Sequence, residues 1–423
     1  MSELTGSHLE VRRRRDDNRR VVSSTLSRSE RPPSLRSLAM LALALGGFGI
    51  GTTEFVAMGL LPEMAGGLDI SEPTAGHVIS AYALGVVVGA PLIAALTARV
   101  PRRTLLIALM VAFTLGNAAS VLAPDYPTLM AARFVAGLPH GAYFGVAALV
   151  AAHLAEPGRR AKAVANVMIG LSIANVVGVP VATWLGQHLG WRSAFALVTV
   201  IGVAVVASLI AWIPRLDAMP TTNPITELGA LTRVQVWMTL IMGMVGFGGM
   251  FAVYSYISTT LTDVTGLAKS LIPIALMLYG LGMVVGNVVG GHLADRALTK
   301  GLAVSMTALA LILAVFVIAV RTPVTALVFV FLIGVAGSAM VPALQTRLMD
   351  VAADAQTLAA ALNHAALNVA NAFGAWIGGV VIAAGYGYTA PAAVGSMLAV
   401  AGLVVLGFAV LLERRRASTQ VTG

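Results

Sequence analysis

Glu54 is the only carboxylate that falls deep inside a hydrophobic stretch of this chain, within Gly51-Thr52-Thr53-Glu54-Phe55. The stretch from Leu38 to Leu61 is otherwise apolar and about 24 residues long. As a helix it can cross a hydrocarbon core of roughly 30 Å. A charge at the centre of such a helix costs about 2.5–3.5 kcal/mol on insertion scales, so an acid retained there reads as functional. The chemistry open to it is to bind and release a proton while something else moves. Arg133 lies in another apolar stretch and is followed by Gly137-Leu138-Pro139-His140-Gly141. Counted from the nearer end of each helix, Arg133 and Glu54 sit at comparable depth. An arginine at that depth needs a partner, and both Glu54 and backbone carbonyls qualify. His140 and His364 can titrate near neutral pH and join a proton relay, or make fixed interhelical hydrogen bonds. Asn363, Asn368 and Asn371 give the His364 segment a polar stripe that faces another helix or a cavity.

These residues need membrane helices to hold them. The chain of 423 residues is 58% hydrophobic and 11% charged, whereas a soluble domain carries about 25% charged residues. The fold class expected is an all-α, polytopic membrane protein. Cysteine is absent, which excludes disulfides and thiolate metal sites. No H-E-x-x-H spacing and no phosphate-binding glycine loop occurs, so no metal and no cofactor is expected, and no enzymatic constellation of nucleophile and base stands out. Twelve apolar segments can be counted. Residues 1–37 read as a disordered basic tail, 38–213 and 236–413 as two six-helix bundles, 214–235 as a linker, and 414–423 as a second tail. The first tail is too long and too polar for a signal-peptide n-region, although Met40 leaves a later start open. With the N-terminus inside, the cytoplasmic segments carry 23 of the 27 Lys and Arg residues and the outer loops only Arg192, Lys269 and Arg321. That asymmetry puts both termini in the cytoplasm. It also explains the net charge of +9 by lipid-facing, topogenic arginines rather than by nucleic acid.

The two halves read as copies. Ala174-Asn175-x-x-Gly178 recurs as Ala370-Asn371-x-x-Gly374, an offset of 196 residues. Arg99, Arg102 and Arg103 follow the second segment as Asp295, Arg296 and Lys300 follow the eighth. Parallel repeats of this kind place a site near the bilayer midplane at their interface. Gly291-x-x-x-Asp295-Arg296 with Lys300 is intact, whereas the first half has Ala94 and Ala98 in place of Gly and Asp. An acid and arginines at helix ends can pair across the repeat interface and latch one conformation. The fifth segment carries Gly170, Asn175, Gly178-Val179-Pro180 and Gly186, where small residues permit close helix contact and Pro180 bends the helix.

In this ordered set of motifs, from about residue 38 to 413, the chain resembles the major facilitator superfamily. Within it the chain looks like the drug:proton antiporter group, on the branch of arabinose-efflux-like and chloramphenicol-resistance exporters. The resemblance implies twelve membrane helices, a monomer, and a bacterial plasma membrane location. It implies that Arg133 assists proton transfer, joining Glu54 and His140 as proton-coupling candidates, and that the fifth-segment glycines are the motif that separates exporters from importers, with Val179 interrupting its Gly-Pro pair. Segments one, four, seven and ten line the cavity in this superfamily. Phe55, Met58, Tyr143, Phe144, Phe247, Met250, Tyr254 and Met340 are then substrate candidates, with Asn371 as a polar addition. Methionines and aromatics suit loose recognition of varied lipophilic compounds. The function expected is proton-driven export of small amphiphilic compounds or drugs. Export of sugars or other metabolites, uptake by proton symport, and a non-transporting membrane sensor are the alternatives.

Overall fold

A computed structural model describes residues 33–97, 100–156, 160–216, 229–352 and 356–421. Residues 1–32 of the expected first tail, most of the linker and Arg99 lie outside these residues, while 33–37, expected as tail, open the first helix. All regular structure among them is helical. The first set comprises α1 (Pro33–Gly59), a short α2 (Leu61–Leu68), α3 (Glu72–Leu96), α4 (Arg102–Leu122), α5 (Tyr126–Leu154), α6 (Arg160–Ile173), α7 (Val179–Leu189) and α8 (Arg192–Trp212). The second comprises α9 (Val234–Tyr254), α10 (Ile257–Thr259), α11 (Ile272–Ala319), α12 (Pro323–Ser338), α13 (Met340–Ala352), α14 (Gln356–Val381) and α15 (Ala390–Val421). Helix starts follow local chemistry. Asp125 accepts from the Thr128 amide at 2.9 Å to open α5, and Ser71 accepts from the Thr74 amide at 3.3 Å to open α3, each satisfying one orphan donor. A π-helical turn, Ala174–Gly178, joins α6 to α7 just before Pro180, a widened turn of the kind often found at functional sites.

Eleven segments among the described residues are long and apolar enough to cross a membrane. One of them, Lys269–Ala319, has 51 residues, about twice what one crossing needs. The sequence suggests two segments there, 271–293 and 301–320, with a loop between. In the structure two helices meet there across a kink, where a single residue, Ala297 (φ −164°, ψ 89°), leaves the helical region. The reason is local: 294–300 contains neither Gly nor Pro, so nothing stops helix pairing up to the break. At the other end, α15 continues to Val421, so the final residues expected as a tail extend the last helix.

The repeat is written into the packing. A Cβ on Gly85 or Gly89 of α3 would stand 2.2 or 2.0 Å from the carbonyl oxygen of Phe134 or Leu138 in α5. Their counterparts 197 residues on, Gly282 and Gly286 of α11, meet Phe331 and Val335 of α12 in the same way, at 2.2 Å each. Contact of backbone on backbone explains the glycine content, because helix association in lipid depends on close van der Waals approach. Gly137→Ala would drive a Cβ to 2.1 Å from the Tyr82 carbonyl oxygen, an overpacking that costs about 1–3 kcal/mol. The expected result is a lower unfolding midpoint in detergent. Gly291→Ala, with nothing within 4 Å of the new Cβ, should raise it slightly, because alanine is the better helix former.

Candidate functional site

Thr52, Thr53 and Glu54 lie in the last third of α1, where three polar residues in a row must all find room. Thr52 returns its hydroxyl to the Phe48 carbonyl at 2.8 Å. Thr53 is the hub: its Oγ1 donates to Asn117 Oδ1 at 2.5 Å, and Asn117 Nδ2 donates to Phe113 O at 2.9 Å. Arg133, fully buried in α5, donates from Nη1 to Thr53 Oγ1 at 2.8 Å and from Nη2 to Thr53 O at 2.9 Å. Its guanidinium lies between two rings, 4.4 Å from the Tyr82 centroid and 5.0 Å from that of Phe195, a cation–π sandwich that offsets part of its desolvation. Of the two partners open to Arg133, the backbone and its neighbouring hydroxyl hold it. No ion pair within 4.0 Å joins it to Glu54.

Glu54 is 7% exposed. Among the described residues its carboxylate makes no hydrogen bond or ion pair, while Arg133, Tyr82 and Tyr279 lie within electrostatic reach. His140 stands about two turns further along α5 and shares a 3.1 Å hydrogen bond with the Tyr82 hydroxyl through Nδ1. Its ring lies 5.3 Å from that of Phe144. Phe144 in turn stacks on His364 of α14 at 5.5 Å and 5°. The polar stripe of α14 therefore faces the other helix set, and Asn363, Asn368 and Asn371 each keep a buried amide atom without a hydrogen bond.

The aromatic candidates divide. Phe55 meets Phe251 (6.3 Å, stacked) and Tyr254 (6.0 Å, edge-on), so α1 and α9 touch beside Glu54. Phe55, Met58, Phe247, Met250, Tyr254 and Met340 belong to one buried cluster that runs through both helix sets. Tyr143 stands apart: its hydroxyl donates to Leu43 O at 2.9 Å and its ring fills the space over Gly46, so in this state it ties α5 to α1. A helical pattern alone cannot separate the two sides of α5, both of which are buried.

The glycine-rich fifth segment is a packing surface. Gly170 lies on the Ala44 carbonyl, Gly178 on Thr52 and Gly186 on Leu60. Asn175 returns Nδ2 to Leu171 O at 3.0 Å and leaves Oδ1 unpartnered, and its own carbonyl would be 2.4 Å from a Cβ on Gly280 of α11. The latch residues are apart in this state. Arg103 donates to Ile210 O at 2.6 Å inside its own helix set, and Arg102 makes no ion pair among the described residues. Asp295, Arg296 and Lys300 are exposed and make no ion pair among the described residues. Contact between the sets is made instead at the α2 rim, where Thr259 donates to the Glu72 carboxylate and Tyr256 fills the space over Gly76. Deeper in, Ser80 Oγ donates to Ala372 O at 3.1 Å.

Sequence reasoning missed Thr53, Asn117, Tyr82, Phe195 and the Glu72–Thr259 contact. It also missed Glu63 of α2, whose affinity for its proton is raised by burial, against smaller opposing effects of its own backbone hydrogen bond and Lys269. A carboxyl raised in the folded state weakens folding once it ionises, so its cost is absent in acid and appears as pH rises past the unfolded value. Glu63→Gln is therefore expected to raise the unfolding midpoint at about pH 7 and to leave it unchanged near pH 4.

A family model described as "Major Facilitator Superfamily" matches residues 43–319 and 239–423. The "Inner membrane transport protein YdhP" of Escherichia coli (strain K12) is 44% identical over 373 residues, covering 88% of this chain and 94% of that protein. The "Putative transporter AraJ" of the same organism is 37% identical, covering 87% and 94%. A "Chloramphenicol resistance protein" of Streptomyces lividans is 34% identical, covering 88% and 96%. Among solved structures, that of a D-xylose-proton symporter superposes with a TM-score of 0.71 at 17% identity, covering 87% of this chain and 96% of the other. At that identity the last likeness speaks for the fold alone. Family model, relatives and helical architecture agree: the chain is a membrane transporter belonging to the major facilitator superfamily, a multi-pass protein of the bacterial inner membrane.

Proposed function

We propose that this transporter exports small amphiphilic compounds in exchange for protons, with Glu54 as the proton carrier. The observation that carries the reading is the state of Glu54: buried, without a hydrogen bond or ion pair, and level with an aromatic cluster drawn from both helix sets. An intramembrane acid with no structural partner has no role in holding the fold, which leaves it to exchange protons. In the cycle proposed, Glu54 takes a proton from the outer side and substrate leaves. The halves then rock, and the proton passes to the cytoplasm. The long helix α11 counts as two crossings broken at Ala297, giving twelve in two bundles, 38–213 and 236–413, with both termini cytoplasmic and the chain acting as a monomer. Chloramphenicol-like compounds are the first substrates to consider, given the name of the Streptomyces relative.

A second reading, export of a sugar or other polar metabolite, is favoured by one observation: Asn175 and Asn371, repeat-mates in α6–α7 and α14, both keep buried amide atoms unpartnered. The test for both is proton movement in energised inside-out vesicles. Amphenicols and then arabinose-like sugars are added while a lumenal pH dye is followed. Dissipation of the gradient by amphenicols supports the first reading, and dissipation by sugars alone replaces it with the second. A pH gradient that no compound in a broad panel disturbs, with folded protein present, counts against proton exchange.

A further inference from the structure

The two repeats are built alike but furnished differently, and the difference isolates one hydroxyl. Tyr82 and Tyr279 are 197 residues apart and hold matching places, each with its carbonyl against a glycine of the neighbouring helix, Gly137 or Gly334. In the first half the Tyr82 ring lies beside Arg133 and its hydroxyl is bonded to His140. The residues 197 on from Arg133 and His140 are Val330 and Gly337. Val330 lines a narrow crevice beside Tyr254 and Tyr279, and the Met250 sulfur fills the space where a Cβ on Gly337 would stand. Tyr279 has kept the ring and lost both partners of its repeat-mate. Its hydroxyl is fully buried and makes no hydrogen bond. A buried phenol left unpaired is a burden that phenylalanine would not carry.

A second unpaired group lies opposite. Helix α1 ends, and α11 begins, at the same rim, where a Cβ on Gly59 would stand 2.6 Å from Leu276 Cδ1. Glu54 is five residues back along α1 and Tyr279 three residues on along α11, about 7 and 5 Å from that contact. The two are level on facing helices. Phe55 packs edge-on against Tyr254, and Tyr254 stacks on Tyr279 with centroids 3.8 Å apart. The ionisable groups around Glu54 are Arg133 and Tyr82 from its own half and Tyr279 from the other.

We propose that Tyr279 is a positioning residue for Glu54: its O–H donates to the Glu54 carboxyl group across the interface of the halves. The first half fixes the carrier's backbone through Arg133 and Thr53, and the second half supplies the side-chain donor in a step of the cycle other than this one, in which the Tyr279 hydroxyl is unbonded. This rests on the reading of Glu54 as the proton carrier, and the experiment separates the two. Infrared difference spectra between acid and alkaline pH are recorded on the full chain in lipid nanodiscs. The carboxyl C=O band missing in Glu54→Gln is that of Glu54. In Tyr279→Phe the band is expected at higher frequency, because the carbonyl has lost a donor. In Tyr254→Phe, which removes the neighbouring phenol and keeps the stack, it is expected unmoved. Proton-coupled flux in Tyr279→Phe should fall by up to about tenfold, the worth of one neutral hydrogen bond. A Glu54 band at the same frequency in Tyr279→Phe overturns the inference and leaves the carrier reading standing. No Glu54 band in the native protein overturns the carrier reading and this inference together. Should Tyr279→Phe fail to fold, ring-labelled tyrosine in the native chain gives the same answer: a tyrosine C–O band that changes with pH and stays fixed in Glu54→Gln supports the pairing, and its absence overturns it.

Discussion

Glu54→Gln is expected to abolish proton-driven transport while the protein still inserts, folds and binds. Glutamine keeps the shape of the protonated carboxyl group and cannot lose a proton, so the carrier is locked in one of its two states. The size of the effect follows from the driving force. A potential of 100 mV is worth about 2.3 kcal/mol per charge and one pH unit about 1.4 kcal/mol. One proton exchanged for one neutral molecule can then sustain roughly a 500-fold concentration ratio. The variant should sustain none, with substrate reaching equal concentrations on both sides. Stability moves the other way or stays level, because Glu54 has no hydrogen bond or ion pair to lose and a neutral amide is cheaper than a charge at that depth. Two measurements on one preparation decide it: substrate-driven proton movement in vesicles and the unfolding midpoint in detergent. Full proton movement in Glu54→Gln sinks the proposed carrier. Loss of transport together with a collapsed midpoint would recast Glu54 as a structural residue.

What was legible in the sequence was whatever stands out against an apolar background. Glu54 and Arg133 did so because a charge is rare in a membrane helix. The repeat did so because Asn175 and Asn371 recur with flanking glycines. What stayed hidden was chemistry carried by residues that are ordinary in such helices. Thr53 looks like any threonine satisfying its own backbone, yet it holds Arg133 by hydroxyl and carbonyl at once. Tyr82 and Tyr279 look like two aromatics among many; only pairing all residues at the 197-residue offset would have singled them out. Glu72 reads as a first-turn acid on α3, and its bond to Thr259 depends on how the two helix sets meet. The latch motif is the converse case. Its residues are unmistakable by type, but Asp295, Arg296 and Lys300 make no ion pair among the described residues. Tyr143 shows a geometric limit of the pattern: α5 is buried on more than one side, and its period gives no preference between the cavity and α1.

Arg133→Lys carries the second large effect, although charge is conserved. Lysine is a point charge on a flexible stem, whereas Arg133 uses a planar fork. Two parallel bonds run from Nη1 and Nη2 to the hydroxyl and carbonyl of Thr53, at 2.8 and 2.9 Å, and the same plane lies between Tyr82 and Phe195. An ammonium group can keep one of those bonds and none of the stacking in that form. It would stand buried, charged and only partly satisfied, a defect of the size seen when buried charge pairs are broken, about 3–5 kcal/mol. The unfolding midpoint should drop accordingly. Transport should fall on the order of a hundredfold, since about 1.4 kcal/mol is tenfold and both the Thr53 anchor beside Glu54 and the Tyr82 contact are disturbed. Arg133→Gln separates the two roles. Its amide can donate to Thr53 without any charge, so it should recover much of the stability and none of the coupling if Arg133 tunes Glu54 electrostatically. Should Arg133→Gln transport as well as the native chain, Arg133 is a clamp on α1 and nothing more. Should Arg133→Lys match the native chain in both stability and transport, the fork and the ring sandwich have no role in the mechanism.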